Sequence, residues 1–535
     1  MKRSPWLVRM TTSAALAALA VTAAPRDARA FCGFYVGGAD TKLFNNATVV
    51  VMMREGQKTV LSMQNNYQGP PQDFAMVVPV PVVLQKENVK TLPRELFDRV
   101  DALTAPRLVE YWEQDPCAAD HPPPPSPMLA PMSEAVNVTA TGGMRESHSV
   151  KIEARFSVGE YDILVLSAKD SSGLDTWLHE NGYKIPSGAE PLLRPYVQMG
   201  MKFFVAKIDA KKVAMKDGMA MLSPLRFHYD ADAFFLPIRL GLVNSGGTQD
   251  LVVNVLARGQ RFEVANYDNV SIPTNLELAE EAKGQFGATY AALFDKTIAR
   301  SARTVVTEYA WEATSCDPCP TPSLDEQELM TLGADVATAS SDDDGDDSRQ
   351  RSRGFVVTRL HLRYAKGALG DDLFFRAAHA IEGGRERSVG VGVEGASRLE
   401  QGARPGDMNN FQARYVIRHP WVGDVKCAHP RRGIWGGPNG AYMPVASPAT
   451  NLAFAPRGRV QLAALIKSPI PDGEILSEGA PTPPIAIPRG GSCAGCQAGG
   501  GGVEIAGGIF GTMTLLGAWR RRRSARSSLG KKATP

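Results

Sequence analysis

Residues 46–66 run NATVVVMMREGQKTVLSMQNN. Two stretches rich in Val, Met and Thr, 46–54 and 57–66, flank Gly56, and residues of these types suit a pleated, half-buried surface. In the second stretch Thr59, Leu61 and Met63 alternate with polar Ser62 and Gln64, the period of two expected of a strand with one covered face. Asn65 to Pro71 supply a turn, and a third apolar stretch follows at 73–83. The chain therefore opens on a short-turned run of strands, and the rest is read from there.

A helix is predicted next, because Leu92, Leu96, Val100 and Leu103 share one face and Pro93 suits a first turn. Leu108–Trp112 is read as its continuation beyond Pro106. Further on, strands are expected at 151–156, 161–166, 201–208, 233–243, 250–256, 261–266, 355–364 and 411–419. Leu174, Trp177 and Leu178 mark a short helix closed by Gly182, and Leu276–Ile298 reads as mostly helical despite Gly284 and Gly287. Strands outnumber helices, which predicts an α+β class with mixed or antiparallel sheets, a few helices, and two or more subdomains. An echo recurs at Asp73–Pro79, Asp232–Pro237 and Asp372–Phe375, each an acid leading into an apolar strand behind a tyrosine.

The two ends set the compartment. Lys2, Arg3 and Arg9 precede a small apolar run, Met10–Ala24, and Ala28-Arg29-Ala30 offers the small residues of a leader cleavage site. Cleavage is expected between Ala30 and Phe31. At the other end Val503–Trp519 is apolar and short for a membrane span, and Arg520–Arg523 follow, a block retained on the cytoplasmic side. The expected layout is a leader (1–30), an α+β segment (31–120), a Pro-rich linker or loop (121–146) and a second α+β segment (147–333). An acidic low-complexity loop (334–353), a strand-rich segment (354–470) and a Pro/Gly-rich stalk (471–502) come next. A transmembrane segment (503–519) and a basic cytoplasmic tail (520–535) end it. The formal charge of +3 hides an asymmetry: leader and tail hold an excess of basic residues, so the part between them is mildly acidic and carries no basic field for nucleic acid.

The tail resembles the C-terminal sorting tails of myxobacterial surface proteins, with Cys493 or Cys496 in a glycine-rich stretch, the apolar helix, then the arginines. That resemblance implies recognition by a membrane protease, removal of the tail and display at the surface. The body is similar to a secreted bacterial family known as domain-of-unknown-function family 2330. Phe31-Cys32-Gly33-Phe34-Tyr35-Val36, Met63–Tyr67, Asp73–Pro81, Gly159–Ile163 and Cys316–Pro320 carry the likeness. It implies an envelope location and no particular reaction.

Export permits disulfides, so Cys32, Cys117, Cys316, Cys319 and Cys427 are candidates for bridges. Cys316-Asp317-Pro318-Cys319 has three uses open to it: a structural disulfide, local or to Cys427; a redox pair; or half of a metal site completed by Cys427 and His429. Pro318, Pro320 and Pro322 place it in a turn rather than at the helix start a redox pair prefers. Asp342, Asp344 and Asp346 fail as a calcium loop, because Asp347 and Arg353 stand where glycine and glutamate are needed. The eight histidines form no metal motif, although His228, Asp230 and Asp232 alternate on one stretch, and no nucleophile elbow or phosphate loop is present. No cofactor and no catalytic residue is assigned. The expectation is an exported, membrane-tethered envelope protein with a binding or structural role and an unidentified envelope partner. The alternative is a secreted hydrolase or thiol-redox enzyme whose site is assembled from distant residues.

Overall fold

The computed structural model describes residues 34–481, apart from 37–46, 65–66, 69–74, 119–149, 184–187, 217–218, 245–247, 300, 302, 338–353, 366–370, 389–396, 442, 451, 453–454, 456 and 458–459. The leader and its cleavage site at Ala30 and Phe31, Cys32, the Pro-rich linker, the acidic run, Cys493, Cys496 and the apolar tail all lie outside the described residues. The chain forms two compact units, Met1–Ile487 and Pro488–Pro535, and every described residue belongs to the first.

That unit is α+β, and its centre is a mixed sheet of twelve strands among the described residues. Six strands form its middle: β1 (Ala47–Glu55), β2 (Lys58–Gln64), β3 (Leu225–Asp230), β4 (Thr248–Arg258), β5 (Thr304–Glu312) and β6 (Phe355–Ala365). They lie in the order β5-β6-β4-β1-β2-β3. The β1–β2 hairpin pairs antiparallel with Met52 opposite Leu61, as the alternation predicts, whereas β1 and β4 run parallel. Strands from all three of the predicted strand-bearing segments thus interleave in one sheet.

Alternation along β1 divides its side chains between two layers. Val50 and Met52 join Leu61, Val253 and Leu360 against a second, five-stranded sheet represented by Met76, Val165 and Phe204. Val51 and Met53 point the other way, to Leu96, Phe97, Val100 and Leu103 of helix α1 (Arg94–Thr104). The outer face of the second sheet is covered by helices Ser171–Glu180 and Glu190–Gln198 through Leu174, Trp177, Leu193 and Tyr196. Helix α2 (Phe286–Ile298) packs through Phe286, Tyr290 and Phe294 among Val306, Ala310 and Tyr415. The layers run helix, sheet, sheet, helix. Among the described residues no helix is long and apolar enough to cross a membrane.

Several expectations are corrected. Arg107–Glu113 is a strand, parallel to Arg414–His419, and not a continuation of α1. Its physical reason is Pro106, which disfavours helix at Ala105 and lets the chain turn into a second sheet. The mostly helical reading of Leu276–Ile298 holds from Glu280 onward, as a tighter turn at Glu280–Gln285 and then α2, and is corrected only at its start, where Leu276–Glu277 pairs in a sheet. Residues 233–243 give only a two-residue strand, Phe235–Leu236, before a tight helical turn at Arg239–Asn244. The acidic loop starts later than read, since Asp335–Ala337 is helical and Asp335 pairs with Arg226 and Lys90. The stalk also starts later: Ile475–Ser477 is a strand on Asp268–Ser271, and the Ala480 amide donates to Ala265 O at 2.8 Å. Two of the three echo segments meet, because Phe235 and Leu236 pair with Phe374 and Leu373.

Candidate functional site

Two charged assemblies stand out, and burial separates their roles. The first lies under the helix-covered face of the central sheet. Between Thr307 and Tyr309 the register of β5 against β6 slips, which leaves Glu308 as the extra residue of a bulge and turns its carboxylate inward. There Arg359 Nε donates to Glu308 Oε2 at 2.6 Å and His361 Nδ1 faces Glu308 Oε1 at 2.7 Å. Tyr290 of α2 also donates to Oε1. Arg359 Nη1 reaches Asp101 of α1 at 2.6 Å, and His361 Nε2 faces Asp250 of β4 at 3.1 Å. Arg363 and Arg457 complete Asp250, and the Phe294 ring lies 4.1 Å from the imidazole.

Carboxylates sit on both ring nitrogens of His361, and only the imidazolium has two N–H groups to give. Burial pushes the His361 pKa down, but Glu308 and Asp250 outweigh it and hold the ring above its ordinary value. Burial likewise pushes Glu308 up, and His361 with Arg359 overcomes this, bringing it to about 2. A Tyr-Glu-His-Asp chain suggests acid–base chemistry. Yet Glu308 and Arg359 are 0% exposed and His361 is 1% exposed, so no substrate reaches them while the sheet is closed. The network fastens α1, α2 and three strands together.

The second assembly is open. A cavity of about 570 Å³ lies beside the antiparallel pair of strands Arg261–Val264 and Leu373–Ala378, and it is bounded also by Arg404–Pro405 and Ile475–Ser477. This volume is in the range of small-ligand pockets. Alternation puts Arg261 and Glu263 on one face of their strand, and Arg376 stands directly across from Glu263. Arg376 Nε donates to Glu263 Oε1 at 2.9 Å, while Arg261 Nη2 is 3.4 Å from Glu263 Oε2. One carboxylate therefore serves two guanidinium groups. Arg261 Nε donates to the carbonyl of His379, and its Nη1 has no hydrogen-bond partner although the residue is only 3% exposed. Burial lowers the Arg261 pKa, with Glu263 opposing.

Glu474 forms another part of the wall. Burial raises its pKa, against a hydrogen bond from the Ala403 amide. It can lie there because residue 402 is glycine: a Cβ at Gly402 would stand 2.2 Å from Glu474 Oε1, and the backbone has φ +70°. Gly402→Ala is expected to cost about 1–2 kcal/mol, from the left-handed backbone and the displaced carboxylate. Urea unfolding of the variant checks this; an unchanged midpoint would show that the wall yields freely.

The residues singled out from sequence fall elsewhere. Cys316 is bridged to Cys319 and Cys427 to Cys117, so neither pair offers thiolates. The quartet Cys316, Cys319, Cys427 and His429 is not a metal site, because its cysteines belong to two separate bridges and His429 is exposed. Among the described residues no group of three His, Cys, Asp or Glu is placed to hold a metal. His228 meets Asn88, and Asp230 pairs with Lys58, so that trio does not act together. Sequence reasoning missed Arg261, Arg376, Arg404 and Glu474; the alternation of Arg261 and Glu263 with Phe262 and Val264 was the local hint of a polar strand face.

Fold and site together define a disulfide-bridged α+β protein with a charged, half-open pocket and a sealed ionic core. The chain belongs to the DUF2330 family, described as "Uncharacterized protein conserved in bacteria", whose model matches residues 26–376. No curated protein and no solved structure matches it. The family match takes in Arg261, Glu263 and Arg376 and stops before Arg404 and Glu474.

Proposed function

We propose that this chain is an exported, membrane-tethered protein of the bacterial cell envelope, and that it binds a ligand in the Arg261–Glu474 pocket rather than transforming one. The observation that carries the reading is the Cys117–Cys427 bridge, which joins positions 310 residues apart. Such bridges persist in oxidising compartments and are rare in the cytosol. The leader, the short apolar segment at 503–519 and the arginines behind it support the same location. Binding is preferred to catalysis because the hydrogen-bonded chain through Glu308 and His361 is sealed, while the open pocket is dominated by arginines that position charge, beside His379 and Glu474.

The test expresses the full chain with its own leader in a bacterial host, beside a version lacking residues 1–30. The expected product is membrane-associated, begins at Phe31, and has Cys117, Cys316, Cys319 and Cys427 shielded from maleimide until reduced. A full-length product in the cytosol with its leader intact and every thiol reactive would overturn the reading.

A further inference from the structure

We infer that the Cys316–Cys319 bridge is a thiol–disulfide exchange site, open to a dithiol through the sulfur of Cys319. This goes beyond the binding reading and needs from it only that the bridge forms.

Access distinguishes the two sulfurs. Cys319 is exposed, whereas Cys316 is half-buried against the core cluster that holds Trp311 and Leu324. Attack by a thiolate follows access, so Cys319 takes the nucleophile and Cys316 is the leaving group. In the other bridge both Cys117 and Cys427 are half-buried.

The turn is held in shape by bonds other than the disulfide. At its base the Leu324 amide donates to Ala313 O at 3.1 Å and Ser323 Oγ donates to Thr314 O at 2.9 Å. Arg99 donates to Pro322 O and Ser323 O, both at 3.1 Å. Arg107 Nη1 donates to Pro318 O at 3.0 Å, and Gln412 donates to Asp317 O. Helix α1 and two strands therefore pin the ring from outside, while the bridge itself joins positions only three apart. Opening it needs no unfolding, and the two sulfurs stay near enough to close again.

The surroundings also accommodate the reduced pair. Thr321 O stands 4.0 Å from Cys316 Sγ and Cys316 O stands 3.1 Å from Cys319 Sγ, so an acceptor for each thiol is in place. Arg107, 0% exposed, is held by the carbonyls of Leu103 and Pro318 and by the Tyr309 ring, with Arg414 opposite it in register. A buried cation bonded to the carbonyl that precedes Cys319 favours a thiolate in the turn. Asp317 opposes it from the exposed side, where water and salt screen its charge.

The exchange balances in two steps. A thiolate of the dithiol attacks Cys319 Sγ, the S–S bond breaks, and its electron pair leaves on Cys316. The second thiolate of the dithiol then attacks its own sulfur in the mixed disulfide and releases Cys319. The protein gains two electrons and the two protons that the dithiol gave up, and the dithiol departs as a disulfide.

The experiment uses the exported full chain in detergent, with free thiols first blocked by N-ethylmaleimide. Dithiothreitol and reduced thioredoxin are added in separate arms, and new thiols are trapped with iodoacetamide and located by peptide mass. Cys316 and Cys319 are expected to be labelled together at least about tenfold faster than Cys117 and Cys427, as the difference in access implies. Urea below the unfolding transition should leave that rate unchanged. Glutathione, a monothiol, should leave its adduct on Cys319 and not on Cys316. Reaction with thioredoxin assigns a protein dithiol as the partner, and reaction with dithiothreitol alone assigns a small one. Labelling no faster than that of Cys117 and Cys427 overturns the proposal. So does labelling that appears only as urea unfolds the chain, or a glutathione adduct confined to Cys316.

Discussion

Glu308→Gln is expected to lower the unfolding free energy by about 3–5 kcal/mol, the usual penalty for breaking a buried ion pair from one side. The carboxylate accepts from Tyr290, Arg359 and His361 at once, and glutamine removes the charge while keeping the shape. Arg359, 0% exposed, then has only Asp101 to neutralise it. The expected loss comes from the abandoned cation and imidazolium, not from a lost contact. A triple change, Glu308→Leu with Arg359→Met and His361→Phe, should therefore recover much of the stability, since apolar replacements of whole buried ion networks are often neutral. Equal loss in the single and triple variants would refute this account.

The same network fixes a pH profile. Glu308 is held near 2 in the folded chain, below its ordinary 4.5, so its contribution is present above about pH 4.5 and disappears as pH falls towards 2. His361 is held above its ordinary 6.5, so its contribution is complete below that value and is lost as pH rises through the folded pKa. Both are present between about pH 4.5 and 6.5, where the wild-type urea midpoint should be highest with respect to this network. In Glu308→Gln the main partner that raises His361 is gone and Asp250 is left to oppose burial, so the decline above pH 6.5 should shrink. Midpoints at pH 5.5 and 8.5 in both proteins read this out. A variant that declines as steeply as wild type would place the titrating group elsewhere.

This core was not legible in the sequence, for a physical reason. Strand β6 alternates Arg359, His361 and Arg363 with Leu360 and Leu362, the pattern of a strand with one wet face. What buries that polar face is charge supplied from far along the chain by Glu308, Asp250 and Asp101, and no local period reports it. The β1–β2 hairpin was legible because its partner is adjacent in sequence. Arg107–Glu113 was not, because nearly all its residues are buried, Glu110 and Glu113 included, so the alternation that marks a strand is missing. The pocket suffers from distance as well: Arg261, Arg376 and Glu474 meet only after three separated strands have found their places. The Cys316–Cys319 spacing signalled a turn, and its local bridge is one of the pairings the spacing allows.

Replacing both Cys117 and Cys427 with serine is expected to cost up to about 5 kcal/mol, the chain-entropy scale for a closure of this length. The bridge joins positions 310 apart, so the unfolded chain loses a large constraint when it goes. Removing Cys316–Cys319, separated by three, should cost only about 2 kcal/mol on the same scale, and the contrast between the two is the sharper test. Native contacts around the long bridge argue that its geometry is already fixed by other means. Glu113 accepts from Arg432 and from the Trp421 and Gly433 amides, and the Arg431 amide donates to Pro116 O at 2.9 Å. Most of the bridge's effect therefore belongs to the unfolded state, and the folded loop at 420–433 should keep its place without it. Limited proteolysis distinguishes the cases. If the serine variant loses stability globally while its native loop, where Val422 is 99% exposed, is cut no faster, the constraint acts on the unfolded chain. If the loop is cut rapidly under native conditions while the global midpoint barely moves, the bridge is a local clasp and the entropic account fails.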